Sequence, residues 1–348
     1  MTLATHLRQQ ALALGFDLVG ICPARPSAHA DFYARWVEAG YAGSMAYLAR
    51  RIKERRDPRS LLPGCRSIVV VGLNSFLPDE EPPPPGHGLI ARYARRDDYH
   101  EVMKRRLLAL LDWLAAETGR SPKSLGRAYV DTGPLLEREL AMQAGLGWIG
   151  KNCCLINPGL GSWLLLGELL LEIELPPDEP WATPRCGTCT RCLDACPTGA
   201  LIEPYLLDAR RCIAYLTIEL KGAIPEELRP LLGQRIFGCD LCQEVCPWNQ
   251  RFSQPGSDPA FQLRPDLINP SLLELMALDD EPFRRRFRDS PITRAKRRGL
   301  LRNVAVALGN WGDPTARPVL TEALSDPEPL VCDHAAWALD RIDSGATR

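Results

Sequence analysis

Hydrophobic positions along the chain change period several times, and each change marks an element. Leu3, Leu7, Leu12 and Leu14 recur among Gln, Arg and His between Met1 and Phe16, the spacing of an amphipathic helix. β-rich runs follow at "GFDLVGI" (Gly15–Ile21) and "RSIVVVGL" (Arg66–Leu73), separated by a helical, Arg-rich stretch. "PDEEPPPPGHG" (Pro78–Gly88) reads as a loop, because its prolines deny helix and ladder hydrogen bonds. Leu107, Leu111 and Leu114 share one side of a long helix predicted over Asp97–Gly119. "GRAYV" and "DTGPLLERELAMQAG" then read as strand, turn and helix, stopped at Gly145. "WLLLGELLLEIEL" (Trp163–Leu175) reads as one or two buried strands. These elements alternate α and β and form one α+β domain, set at residues 1–178. Beyond a cysteine-rich segment (179–250) the chain turns helical over 251–348. There Ala305, Ala307 and Leu308 recur 31 residues later as Ala336, Ala338 and Leu339, the sign of a short stack of HEAT-like helical repeats.

A chain of 348 residues accommodates these three domains. The net charge of −1 creates no global field toward nucleic acid or membrane, so any such partner must meet a local patch. The N-terminal helix lacks the apolar core and small-residue site of a secretion signal. The most apolar later stretch, Gly161–Leu175, is interrupted by Glu168, Glu172 and Glu174 and is too short and charged to span a bilayer. A cytoplasmic protein with no membrane partner is expected.

Eight of the thirteen cysteines lie between Cys186 and Cys246. In a reducing compartment that clustering points to metal rather than to disulfides. Cys186, Cys189, Cys192 and Cys196-Pro197 have the C-x2-C-x2-C-x3-C-P spacing of bacterial ferredoxins, in which the last cysteine ligates the other of two clusters. "GCDLCQEVCPWN" supplies the reciprocal set, Cys239, Cys242 and Cys246-Pro247, and lacks one ligand. Cys212 is the candidate for it, with no other cysteine expected within reach. One [4Fe–4S] cluster is thereby assigned to Cys186, Cys189, Cys192 and Cys246, and a second to Cys196, Cys212, Cys239 and Cys242. Paired structural zinc sites also use C-x2-C, but need neither the third step nor two C-P endings.

Other features carry weaker signals. "GLGWIG" (Gly145–Gly150) fits G-x-G-x-x-G, yet it follows a helix instead of a strand, so turn glycines are expected there. His100 and His334 fall in helical patterns and read as surface or core residues. Asp131 stands at a strand end before a helix; it reads either as an N-cap or as a carboxylic acid buried against a cofactor with a raised pKa. Arginines crowd Leu48–Arg59 and Arg284–Asn303. The second stretch holds nine Lys/Arg against the single acid Asp289, which suits a phosphate-backbone contact through residues such as Arg297 and Arg298 as well as it suits a solvated face.

The combined pattern resembles the epoxyqueuosine reductases, cobalamin-dependent enzymes of queuosine synthesis in tRNA. The resemblance spans essentially the whole chain and rests most specifically on "VDTGPLLERELAMQAGLGWIGKN" and "RCIAYLTIELKGAIP". It implies an N-terminal cobalamin-binding α/β domain like that of reductive dehalogenases, fed by two [4Fe–4S] clusters and followed by the helical repeats. It further implies reduction of an epoxide to an alkene at the tRNA wobble position, with Asp131 as proton donor. Corrinoid contacts would fall at Arg55, Asp131, Leu155, Leu166, Cys212, Ala214 and Asp240, and tRNA contacts at Arg138, Asn157 and Lys221. Ala214 stands where many relatives have serine, so a side-chain hydrogen bond is lost there. A monomer served by an external donor of flavodoxin or ferredoxin type is expected. The competing readings are a reductive dehalogenase, which would not need a basic helical appendage, and a cobalamin carrier or electron-transfer module, which would have no use for a positioned acid.

Overall fold

Four of the predicted β-runs meet in one sheet. In spatial order they are Leu18–Pro23, Ser67–Asn74, Leu164–Leu171 and Gly126–Tyr129, and every neighbouring pair is antiparallel. The computed structural model describes residues 2–78, 83–256, 258–259 and 261–345; of the loop expected over 78–88, residues 79–82 lie outside these. Every residue of Ser67–Asn74 is buried, which explains its unbroken apolar sequence: side chains alternate between two covered faces. Val69, Val71, Leu169 and Leu171 point to one face, packed by the helices Leu3–Ala13 and Tyr99–Thr118 through Leu7, Leu107, Leu110 and Leu114. Ile68, Val70, Leu166 and Leu170 point to the other, packed by the helix Glu137–Gln143 through Leu140 and Ala141. "WLLLGELLLEIEL" is a single strand, with Glu168 fully buried on that second face between Val70 and Tyr129.

The glycines of "GLGWIG" are turn residues, as expected. Gly145 has φ +74° just past the helix Glu137–Gln143. A Cβ on Gly147 would stand 2.2 Å from the Ile156 carbonyl oxygen, inside the small hairpin of Trp148–Ile149 and Leu155–Ile156.

At the C-terminus the helix Lys296–Trp311 packs on Pro329–Asp343, with Arg317–Ala323 between them in sequence. The recurring small residues are the seam. A Cβ on Gly309 would lie 2.8 Å from the Trp337 ring, and Ala305, Ala307, Leu308 and Ala338 are buried. The cores do not stop at the expected boundaries, however. Leu89–Ile90 pairs in parallel with Arg235–Phe237, and Ile90, Ala94, Ile236 and Phe237 join the C-terminal core. Phe261 inserts into the N-terminal core, and Arg106 makes paired hydrogen bonds to Asp258 beside it. Among the described residues no helix is long and apolar enough to cross a membrane.

Candidate active site and electron-transfer centres

Two short helical turns, Arg191–Asp194 and Leu241–Glu244, pack against each other and carry the cysteine motifs. The thiols fall into two sets. Cys192 and Cys246 each feel the charge of Cys186, while Cys242 feels Cys239 and Cys212, and Cys212 feels Cys196. The couplings run between the two motifs, Cys246 with Cys186 and Cys212 with Cys196, and Cys246 also feels Cys154. Lys151 Nζ clamps the loop between the first cysteines, donating to the Gly187 carbonyl at 2.7 Å and the Cys189 carbonyl at 2.9 Å. Trp148, Trp181 and Trp248 form an aromatic wall with Cys186 and Cys246. One thiol lies outside the spacing pattern. Cys154 stands beside Cys242 and feels a hydrogen bond from it, so a further cysteine is within reach of the second set. Its only signal along the chain is the "CC" pair in "KNCCLINPG", which has no ferredoxin spacing.

Asp131 follows the sheet strand Gly126–Tyr129 by two residues, at φ +52°, a left-handed conformation that Asp and Asn tolerate better than most residues. It is not a helix cap: Leu136 occupies that place for Glu137–Gln143. Nor is it buried. Its side chain is 59% exposed with respect to this chain's own residues. Instead its Oδ2 lies 3.2 Å from Nε2 of His100, whose Nδ1 lies 2.6 Å from Asp98 Oδ1. Asp98 caps the helix Tyr99–Thr118, and the Tyr99 ring stacks on the imidazole at 4.1 Å between centroids. His100 is thus part of the site and not a bland helical residue. His334 does fit the core reading: fully buried, it accepts the Ile224 N–H at 3.1 Å.

Behind Asp131 lies a carboxyl pair, Glu168 buried and Glu137 half-buried. Glu168 is 0% exposed, and neither of its oxygens meets a donor among the described residues; Glu137 Oε1 is likewise unmet. Two such groups stay in an apolar interior by sharing a proton. Burial first, and then the neighbouring Asp131 charge, push Glu137 up to about 8, and burial and Glu137 push Glu168 well above the carboxylate range. Both folded-state values are raised, so the native chain binds protons that the unfolded chain releases above about 4.5. Stability is fully present below that pH and falls as pH rises toward about 8. Glu168→Gln should flatten this decline, read as the apparent Tm against pH for the variant and wild type side by side. Parallel curves would show that the pair does not hold the proton.

An apolar wall adjoins the loop. Leu155 and Leu166 are buried in one cluster with Leu135 and Leu140, and Arg55 lines a groove there with Leu135, Leu136 and Gln143. Arg55, Leu155 and Leu166 are themselves buried, at 8%, 3% and 9% exposure. Ala214 and Cys212 sit on the neighbouring segment that leads into the π-helical turn Tyr215–Glu219. Asp240 does not offer its side chain: its Oδ2 accepts the Arg92 N–H at 2.8 Å and Nη1 at 3.3 Å.

The expected tRNA contacts divide in the same way. Arg138 is exposed and donates one N–H to the Cys153 carbonyl, and Lys221 is exposed beside Arg294. Asn157 is committed to its own turn, donating to Leu146 O and accepting from Gly159 and Leu160. Arg297 is excluded as a phosphate contact because it pairs with buried Asp326 at 2.6 Å and donates to Leu278 O. Arg302 is fully buried and donates to the Leu216, Leu220 and Gly222 carbonyls. Arg298, half-exposed, is 4.0 Å from Glu328. What remains of the basic stretch as exposed charge is Arg284, Arg285, Arg288, Arg294 and Lys296.

Comparison with known proteins places this geometry. Residues 55–132 match a family model described as epoxyqueuosine reductase QueG, DUF1730; residues 185–249 match a 4Fe-4S double cluster binding domain; residues 292–347 match HEAT repeats. The Pseudomonas aeruginosa protein named epoxyqueuosine reductase is 45% identical over 97% of this chain and 94% of its own length. The Escherichia coli protein of the same name is 44% identical over 97% and 89%. A solved epoxyqueuosine reductase bound to an epoxyqueuosine-modified tRNA-Tyr stem loop superposes with a TM-score of 0.90 at 34% identity, covering 98% of this chain and 90% of that one. The Bacillus subtilis enzyme, described with its catalytic aspartate loop swung out of the active site, superposes at 0.89 and 33% identity, covering 98% and 90%.

Proposed function

We propose that this chain, which belongs to the epoxyqueuosine reductase family, reduces epoxyqueuosine in tRNA to queuosine, removing the epoxide oxygen as water. The observation that carries the reading is the pairing, in one chain, of two reciprocal cysteine sets with a carboxylate loop at an apolar wall. Cys186, Cys189, Cys192 and Cys246 would hold one [4Fe–4S] cluster, and Cys196, Cys212, Cys239 and Cys242 the other; the double-cluster family match supports this set. Arg55, Leu155 and Leu166 would hold cobalamin, which when bound supplies a low-potential, nucleophilic metal centre. Asp131 donates the proton that the opening epoxide oxygen requires, at the rim where a tRNA base can reach it. Arg138 and Lys221, both exposed, flank the site and suit the substrate's phosphates.

The test is deoxygenation of a stem loop carrying epoxyqueuosine by anaerobically purified, cluster- and cobalamin-loaded protein supplied with a low-potential reductant. Mass spectrometry of the nucleosides should show the loss of one oxygen. Intact substrate after incubation with fully loaded protein overturns the reading.

The helical repeats add sequence-independent attraction through Arg284, Arg285, Arg288 and Lys296. Reversing the three arginines to Glu should flatten the salt dependence of tRNA binding by roughly one slope unit for each phosphate no longer neutralised. An Arg297 variant should instead lower the melting temperature, because it breaks a half-buried ion pair. An unchanged salt slope after the triple reversal returns the stretch to a solvated surface.

A further inference from the structure

The contact between His100 and Asp131 fixes where a proton can reside. Nδ1 of His100 is 2.6 Å from Asp98 Oδ1, a carboxylate that also accepts the His100 backbone N–H at 3.0 Å and so is held in place. A carboxylate can only accept, so Nδ1 carries the hydrogen and the tautomer is set. Nε2 then faces Asp131 Oδ2 at 3.2 Å. With Nδ1 protonated, a hydrogen bond at Nε2 requires one more proton, either on the ring or on the carboxyl. The Asp131 side chain is 59% exposed, and Oδ2 is the atom that meets the imidazole.

We propose that His100 stores the proton that Asp131 delivers, with Asp98 holding the ring, so that the donor is an Asp98–His100–Asp131 chain and not an isolated acid. The inference rests on the epoxide-reducing function above and deepens it. As the C–O bond breaks, the Nε2 proton of His100 passes to the Asp131 carboxylate at Oδ2, and Asp131 delivers that proton to the leaving oxygen and ends ionised. His100 ends as a neutral imidazole still bonded to Asp98, and solvent recharges it for the second proton that converts the oxygen to water. The two electrons come from the reductant through the clusters.

The imidazole, held between two carboxylates, is the member of the chain placed to store a proton. Burial alone would lower the imidazole, but its hydrogen bonds to Asp131 and Asp98 outweigh this and raise it to about 9. The charged or titratable groups around the chain are Tyr99 and Tyr93 on the helix side, Glu137 and Glu168 behind the loop, and Tyr47, Glu219 and Arg294 across the mouth.

Two measurements test the chain. In cluster-loaded protein labelled with ¹⁵N-histidine, one of the five imidazoles should titrate near 9, and Asp131→Asn should bring it down toward the ordinary 6.5. No imidazole titrating above its ordinary range, or one indifferent to Asp131→Asn, overturns the proposal without touching the assigned activity. In single turnover, wild-type rate should fall as pH rises through about 9. His100→Gln should lose about 100-fold in rate and also lose that alkaline limb, with KM for the stem loop unchanged. A slowed variant that keeps the limb, or one at wild-type rate, makes His100 a structural residue. If wild-type enzyme itself leaves epoxyqueuosine intact, the functional reading fails instead, and the imidazole titration still reports on the chain.

Discussion

Asp131→Asn should turn over epoxyqueuosine at least about 100-fold more slowly than wild type, the usual scale for loss of a general acid. Its iron content, corrinoid binding and stem-loop affinity should not change. The selectivity follows from the local structure. The residue sits at φ +52°, where Asn is accommodated as well as Asp, so the loop keeps its course. The side chain is exposed and packs no core, so the fold loses little. What disappears is a group able to pass a proton from His100 to an oxygen. Asp131→Ala should be worse in a second way, since Ala is disfavoured in the left-handed region and would disturb the loop as well. The comparison of Asn with Ala separates proton transfer from loop geometry. Single-turnover rates under anaerobic conditions, with iron and cobalt measured on the same samples, decide it. Wild-type turnover in the Asn variant would move the proton donor elsewhere.

Removing Cys154 and Cys212 together should cost one cluster and all turnover driven by an external donor. Two [4Fe–4S] clusters correspond to about eight iron per chain, and the double serine variant should retain about half. Cys212→Ser alone should lose less iron than the pair, because Cys154 stands beside Cys242 and can approach the open corner. Spacing along the chain leaves no other cysteine in reach; the hairpin carrying Leu155–Ile156 brings one in from the side. Turnover should vanish in the double variant even though the first cluster and the Asp131 loop remain, because the electron path is broken. Full iron in the double variant would show that the second cluster draws its ligands elsewhere.

Sequence was most informative where chemistry is encoded by short spacing. Three cysteines at C-x2-C-x2-C fall on one tight turn whatever the rest of the chain does, so the double-cluster segment was legible. The β-runs were legible too, because a strand buried on both faces is nearly continuously apolar, as the run 68–73 is and as Leu164–Leu171 is but for Glu168. The helical repeat announced itself through small residues that allow two helices to approach.

The proton chemistry was not legible in that way. Asp131 could be singled out by its family motif, but the motif carried no information on its partner, a histidine 31 positions earlier. Glu168 looked like a charge that interrupts an apolar strand; only register places it opposite Tyr129 and beside Glu137, where two carboxyls share one buried space. Arg297, Arg302 and Asp240 carried the right charge for a partner and spend it inside the fold. The physical reason is the same in each case. Spacing and periodicity fix what a residue's immediate neighbours along the chain can do together, and that determined the strands, the repeats and the cysteine motifs. A charge's protonation and availability depend on burial and on partners tens or hundreds of residues away, and those were decided only when the chain packed.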